Sequence, residues 1–479
     1  MKKNNMVLVK YLWILVLLLP FASSCSEDPE ETPKRADKEI TAFGIPTLEL
    51  TGVINATANT IALTIPLGYD QSVLVNVVPH IEYNGVKIEP AATSPQNFTE
   101  TVTYKVTAED GTFRNYTVTL VESEFVAEGF AKTTEVWAQT DWLGTLGFQS
   151  GGIENTIAYK DGKLVVSRTG IILNANTGVP TGAKLNVTGT DGKFHTTDPL
   201  RNYPFSLAND DAGNVIGTSL GAWTKPNMPV YKWTSLESAP ALLYEIVGNE
   251  FGQFGRKIGA VGNINANGFI IHYNQDQPGT GAGDRQHYIW TVTAGAVNAA
   301  NYTAIEGRPE ADRSYYQTLI PMTTGSIYPY YLFASGSTSG IPPSEVSYKA
   351  NASQERVIIE GFQVEGEDVI YSSKWGAYVY HAKRFDFNGV AYIAVLSVSA
   401  AQVPLDETSC IYYLSILDTR NNTVAKVVKI PRGTATNLNG SVSVTHGPEE
   451  TLPTGEKTIR LYSLFTDLGV YCHELSNKQ

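Results

Sequence analysis

"KDGKLVVSR", residues 160–168, decides the reading of the fold, because its pattern of a turn glycine followed by a short apolar run returns along the chain. It recurs in "DAGNVIGTS" (211–219), "NANGFIIHY" (265–273), "TTGSIYPYYLF" (323–333), "FNGVAYIAV" (387–395) and "LNGSVSVTH" (438–446). The glycines are Gly162, Gly213, Gly268, Gly325, Gly389 and Gly440, spaced 51–64 residues apart. A regular period of this size marks a repeat architecture, in which each unit is one supersecondary element that needs its neighbours to bury a core.

Longer pieces follow several of these turns: "VYKWTSLESAPALLYEI" (230–246), "HYIWTVTAGAVNAANYTAI" (287–305), "IYYLSILDTRNNTVAKVVKI" (411–430) and "IRLYSLFTDLGVYCHEL" (459–475). Aligned on their apolar alternation, they place Tyr231/Trp233, Tyr288/Trp290, Tyr412/Leu414 and Leu461/Ser463 in equivalent positions. Repeats that each hold about four strands predict a β-propeller over 124–479, with six blades as the expected count and seven blades or another repeated β fold as alternatives. "TTEVWAQTDW" (133–142), ahead of the first repeat, is expected to supply the strand that closes the ring. The chain as a whole reads as all-β. Short alternating runs lie between Gly, Asn and Asp turns, and long helical periodicity is almost absent.

A separate unit is expected over 38–123. "TIALTIP" (60–66) alternates Ile61, Leu63 and Ile65, and "VTYKVTAEDGTFRNYTVTLVE" (102–122) alternates apolar residues on both sides of Asp110–Gly111. That pattern predicts a β-hairpin whose turn needs positive φ. The length and the run of short strands predict an Ig-like β-sandwich. "ITAFGIP" (40–46) together with this hairpin resembles the N-terminal Ig-like module of Bacteroidetes surface lipoproteins. The resemblance covers under a fifth of the chain, and it implies a spacer more than an activity.

The N-terminus bears on address. Lys2, Lys3 and Lys10 precede and enter an apolar run from Tyr11 to Pro20, followed by Ala22, Ser23 and Ser24. A basic start, a short apolar core and a small-residue site describe a secretory signal over 1–24. About ten apolar residues are too few to cross a bilayer that needs about 20. "ASSC" resembles a lipobox, with Ala22 where Leu is usual, which implies that Cys25 becomes the lipidated first residue. "CSEDPEE" (25–31) resembles the Ser-plus-acidic export signal of Bacteroidetes surface lipoproteins, and 25–37 reads as an acidic tether. The resemblance implies a protein attached by lipid to the outer membrane at the cell surface.

The net charge of −12 becomes −15 once 1–24, with three lysines and no acid, is removed. An acidic, evenly charged chain argues against nucleic acid and against a basic membrane-binding patch. Cys410 and Cys472 sit in apolar strands, where a disulfide and a pair of small buried hydrophobes are both open readings.

No catalytic constellation stands out. A glycan-cleaving propeller needs two facing carboxylates, and Asp141, Asp210, Asp211, Asp276, Asp284, Glu306, Asp312 and Glu367 are candidates by type. Asp161, Asp191, Asp210 and Asp211 sit beside turn glycines and read as turn residues. Neither a sialidase Asp-box nor the opening motif of fructan-cleaving propellers is present. "GTGAG" (279–283), between His272 and His287, lacks the Lys–Ser/Thr and helix of a phosphate loop and reads as a hairpin loop. A Ca²⁺ site from Asp276 and Asp284 is a minor alternative, and no metal site or cofactor is expected.

Sugar binding asks for flat aromatics rimmed by polar groups on loops. Trp233 and Trp290 are assigned to packing. Trp223 in "LGAWTKPNMPV" (220–230), Trp142 in "TDWLG" (140–144), Trp375 in "SSKWGAY" (372–378), and Tyr328 and Tyr330 around Pro329 are the candidate ligand-binding residues. The chain as a whole resembles glycan-utilisation lipoproteins. The expected function is therefore non-catalytic capture of an extracellular polysaccharide or oligosaccharide, with an outer-membrane transporter complex as a possible partner. A glycan-cleaving enzyme and a protein-binding scaffold are the alternatives.

Overall fold

The computed structural model describes residues 33–148, 156–190, 194, 202–219, 227–247, 257–273, 286–307, 317–334, 344–359, 378–430, 442–465 and 468–479. Cys25, Trp223, Trp375, Asp276, Asp284, Asp312 and Glu367 lie outside the described residues. The chain divides into two compact units. One takes in the described residues up to Ile65 with Tyr69–Glu122, and the other Pro66–Gly68 with Ser123–Gln479.

The first unit holds β1 (Glu39–Ile45), β2 (Leu50–Asn55), β3 (Thr60–Ile65), β4 (His80–Asn84), β5 (Lys87–Glu89), β6 (Val102–Thr107) and β7 (Phe113–Glu122). The alternation read from the sequence is the alternation of burial. Ile61, Leu63, Ile65, Tyr104, Val106 and Tyr116 are all fully buried in one core. At the β6–β7 turn, Asp110 accepts from the Thr112 amide (2.8 Å) and hydroxyl (2.6 Å), and Gly111 takes φ +85°. An Ig-like sandwich was the expectation here. The strands join into one seven-stranded half-barrel, in the order β4-β1-β2-β3-β7-β6-β5, with β3 and β7 parallel. The continuity comes from β2, whose first residues, Leu50 and Thr51, pair with β1 and whose remainder, Gly52–Asn55, pairs with β3.

The second unit is a six-bladed propeller. Blade 1 comprises β9 (Ile157–Lys160), β10 (Lys163–Val166), β11 (Ile171–Asn174) and β12 (Pro180–Lys184). Blade 2 comprises β13 (Ser206–Asn209), β14 (Val215–Thr218), β15 (Asn227–Trp233) and β16 (Ala241–Val247). Blade 3 comprises β17 (Ile258–Gly262), β18 (Gly268–Tyr273), β19 (Gln286–Thr293) and β20 (Ala296–Glu306). Blade 4 comprises β21 (Gln317–Pro321), β22 (Tyr330–Ala334), β23 (Glu345–Lys349) and β24 (Val357–Ile358). Blade 5 comprises β25 (Tyr378–Phe387), β26 (Val390–Ala400), β27 (Cys410–Asp418) and β28 (Thr423–Ile430). Blade 6 comprises β29 (Val442–His446), β31 (Lys457–Phe465) and β32 (Gly469–Ser476), with β30 (Glu450–Thr451) paired to β31. Its outer strand is β8 (Lys132–Gln139), the strand that "TTEVWAQTDW" was expected to supply.

Gly162, Gly213, Gly325 and Gly389 fall between the first and second strands of their blades and Gly268 opens the second strand of its own, and three of the five take positive φ there. The sixth marker is out of phase. Gly440 precedes β29, the inner strand of blade 6, and the matching turn residue is Gly455 at φ +87°. "IRLYSLF" is correspondingly the second strand of its blade, whereas Trp233, Trp290 and Leu414 lie on third strands. The pattern of turn plus apolar strand is shared by inner and second strands, so it cannot tell one from the other.

Six apolar clusters hold the ring, one at each junction between consecutive blades. The backbone amides of inner strands have no neighbouring strand on the axial side, and buried amides need partners. Side chains of the preceding blade supply several. Ser443 accepts from Ile157, Thr156 from Leu207, Ser206 from Ile258 and Ser344 from Val379. Trp233 and Trp290 are fully buried, as expected, and their indole N–H groups donate to Asn186 O (2.7 Å) and Ala299 O (3.0 Å).

Candidate functional site

The inner strands β9, β13, β17, β21, β25 and β29 surround a narrow axial cavity of ≈ 40 Å³. Its polar lining includes Asp211, Lys257, His287, Gln317, His381, Lys383 and Arg384 from blades 2 to 5, with Thr445 from blade 6. Two lysines cross the axis. Lys257, at the start of blade 3, donates to Val442 O of blade 6 at 2.8 Å. Lys383 of blade 5 donates to Asn209 O of blade 2 at 2.7 Å and lies 3.9 Å from Asp211 Oδ1. Blades 3 and 6, and blades 2 and 5, are opposite members of a six-membered ring, so each ammonium ties the ring across its diameter.

The electrostatics follow from this placement. Burial holds Lys383 below the ordinary lysine value, while Asp211 and Asp210 pull the other way. Burial drives the His381 imidazole well below its ordinary value, and Lys257 and Lys383 add to the effect. Neutral His381 accepts at Nδ1 from the Val444 amide (3.1 Å), joining blade 5 to blade 6.

Three of the candidate carboxylates, Asp141, Asp210 and Asp211, are spent on structure, while Glu306 ends β20 exposed. Asp210 is buried and accepts at Oδ1 from the amides of Ala212 (3.0 Å) and Asn214 (2.7 Å). Its Oδ2 accepts from Asn214 Nδ2 (2.7 Å) and the Ile264 amide (2.8 Å). Asp211 Oδ2 accepts from the Gly262 amide (2.8 Å). Together the two aspartates tie the β13–β14 turn to the β17–β18 turn, the turn role expected of them. Asp141 accepts from the Thr145 hydroxyl and from the amides of Gly144 and Thr145, which together hold its carboxyl below the usual range. Among the described residues Asp211 is the one carboxylate lining the cavity, whereas hydrolysis of a glycosidic bond calls for two.

Among the described candidate aromatics, Tyr328 and Tyr330 stand together with ring centroids 5.4 Å apart, and Trp142 lies apart from them. Trp142 is half-buried against the cluster between blades 6 and 1. Tyr328 is half-buried against the cluster between blades 3 and 4, on the other side of the ring, with Lys349 Nζ 5.9 Å from its ring centroid. Tyr330 belongs to that same cluster at 2 % exposure, so its ring is committed to packing. Sequence reading passed over Tyr302, on the outer strand of blade 3 and 41 % exposed. The available signal was "AGAVNAANYTAI", longer than the matching piece of blade 2.

His272 and His287 are fully buried, and burial pushes both down to about 3. His272 Nε2 lies 3.0 Å from the Tyr244 hydroxyl, and His287 packs on Tyr273. Among the described residues no group of three or more His, Cys, Asp or Glu is placed to hold a metal ion. Cys472 is a free thiol that burial pushes up to about 12, so the small-hydrophobe reading is the one that applies to it. Among the described residues no helix is long and apolar enough to cross a membrane.

Residues 40–120 match the family model described as "SGBP, N-terminal", where SGBP stands for surface glycan-binding protein. No protein of curated function matches the chain. Among solved structures, a DUF4623 family protein from Bacteroides eggerthii is similar over 92 % of this chain and 99 % of its own, at 14 % identity and a TM-score of 0.52, which shows a shared fold. An α-L-arabinanase from Penicillium chrysogenum aligns over 73 % of this chain and 99 % of its own, at 10 % identity and a TM-score of 0.40. An α-L-arabinofuranosidase from Fusarium graminearum aligns over 72 % and 98 %, at 9 % identity and a TM-score of 0.39. Likeness at these two last levels carries no functional argument.

Proposed function

We propose that the protein is a lipid-anchored cell-surface protein that binds extracellular oligosaccharide or polysaccharide without cleaving it, and holds it for uptake by an outer-membrane transporter complex. The observation that carries this reading is the match of residues 40–120 to the N-terminal domain of surface glycan-binding proteins. The signal-like 1–24 and the lipobox-like Cys25 with its acidic tether support the surface address. The non-catalytic reading is supported by the axis. Lysines cross it, and its one described carboxylate is already an acceptor for a backbone amide. A shape built to hold a sugar needs aromatic and amide groups at the surface, and neither Lys383 nor Asp211 supplies them.

Native affinity electrophoresis of the purified chain, in gels containing arabinan, galactomannan, xyloglucan or polygalacturonate, tests this reading. The expected result is retardation by at least one polysaccharide with no release of reducing sugar on prolonged incubation. Sugar release overturns the non-catalytic reading, and unchanged mobility in every gel overturns glycan binding. Retardation that survives Trp223→Ala, Trp142→Ala and Trp375→Ala together removes those three residues from the site.

A further inference from the structure

Blade 3 departs from its neighbours at its outer pair of strands. In blades 2 and 5 the third and outer strands pair with a single extra residue in the outer strand, Leu243 and Ala425 respectively. In blade 3 the pairing passes from Trp290↔Tyr302 to Val292↔Val297, so four residues of β20, 298–301, face Thr291 alone. Bulges of this kind bend a strand and re-aim its side chains. The bulge is fastened from both sides. The buried Trp290 indole donates to Ala299 O at 3.0 Å, and Asn298 Oδ1 accepts from the Ala300 amide at 3.1 Å.

The departure of β20 opens a groove with a volume of ≈ 560 Å³, lined by Thr291, Thr293, Asn298, Asn301, Tyr302 and Thr303, with the apolar Ile289 and Val297 also on its wall. Its volume lies within the range of ligand sites, about 300–1,000 Å³. No lining residue carries a charge. Tyr302 is positioned by two buried rings, Tyr288 edge-on at 5.2 Å and Trp290 tilted at 5.6 Å, and is the one aromatic of the propeller unit among the exposed large apolar side chains of the described residues.

We propose that this groove binds a segment of a neutral oligosaccharide. Amides and hydroxyls offer donors and acceptors to sugar hydroxyls, and the tyrosine offers a flat face to sugar C–H groups. A carboxylated sugar would enter a site with no cation to meet it. The inference rests on the glycan-binding reading above and assigns that reading a place on the molecule.

The test uses the full chain and the neutral polysaccharides arabinan, galactomannan and xyloglucan, with polygalacturonate as the acidic counterpart. The expected result is retardation by a neutral polysaccharide. Affinity should fall about tenfold or more in Tyr302→Ala and in Thr291→Arg, which fills the groove from an exposed position, and should be retained in Tyr302→Phe. Unfolding midpoints close to wild type confirm that the variants are folded. Retardation of wild type with both variants unaffected overturns the site and leaves glycan binding standing. Retardation by polygalacturonate alone overturns the neutral specificity, and no retardation of wild type in any gel overturns both.

Discussion

Blade 6 and blade 2 are built from the same four-stranded pattern by different means. Blade 2 is consecutive in the chain, and its third strand buries Trp233 in the cluster shared with blade 1. Blade 6 takes its outer strand from the other end of the propeller, so that Lys132–Gln139 pairs with Val470–Ser476 from over 300 residues away. The entropic cost of that longer loop is modest. Each doubling of loop length adds only about 0.6 kcal/mol, so closure across the whole ring costs about 3 kcal/mol more than closing the β15–β16 hairpin. The junction between blades 6 and 1 buries Tyr462, Leu464, Val470 and Cys472 against Leu146, Phe148 and Ile157. At about 1.5–3 kcal/mol for each fully buried large side chain, that burial outweighs the loop. β8 itself is mostly exposed and offers the junction one half-buried ring, Trp137, whose N–H donates to Ala175 O at 3.1 Å. The comparison teaches that a consecutive blade is held mainly by its core, and the closing strand mainly by its backbone ladder.

Substitutions should separate the two modes. The largest effect is expected inside blade 2, where Trp233→Ala removes a fully buried ring and leaves Asn186 O without its donor. A loss of about 3–5 kcal/mol in denaturant unfolding is expected, and a loss under about 1 kcal/mol would place the strength of that blade elsewhere. Next is Gly469→Ala in the closing blade. Gly469 sits at φ +119°, and a Cβ there would run into the carbonyl oxygen of Gln139, the last residue of β8. Strained backbone and overpacking together are expected to cost about 2–4 kcal/mol. The readout specific to closure is Cys472, which pairs with Trp137 of β8. In wild type its buried thiol should resist maleimide, followed by mass spectrometry of its peptide, and in Gly469→Ala it should label well before global unfolding. Equal protection in both proteins would mean that β8 stays paired despite the clash.

What could be read in advance follows the same division between local and distant. The repeat turns, the packing role of Trp233 and Trp290, and the closing strand were legible, because each rests on a pattern within about ten residues. The phase of blade 6 was misread because Gly440 and Gly455 both stand ahead of apolar strands, and only pairing shows that β29 is the inner one. The axial lysines were illegible for a stronger reason. Lys383 in "HAKRFDF" looks like any charge on an amphipathic strand, and its partner is the carbonyl of Asn209, three blades away across the ring and far off in the sequence. Tyr302 was hidden by register, since only the pairing of β19 with β20 reveals that four residues there answer one.

Acid should sharpen the contrast more gradually than either substitution. His473 lies on β32 of the closing blade, paired with Glu135 of β8, and burial pushes it down to about 4. An unfolded histidine takes up its proton near pH 6.5. Between pH 6.5 and about 4 the unfolded chain therefore binds a proton at this position that the folded chain refuses. Stability must fall as the pH drops through that window, by up to about 1.4 kcal/mol per pH unit from this one residue, and level off below it. His272 and His287 of blade 3 act in the same direction, over a window that reaches down to about pH 3. Denaturant midpoints from pH 7 to 4 should therefore fall less steeply in His473→Gln than in wild type. If the slope is unchanged while His272→Phe flattens it, acid opens the consecutive blade 3 before the closing strand, and a backbone ladder with little core is the more acid-resistant of the two constructions.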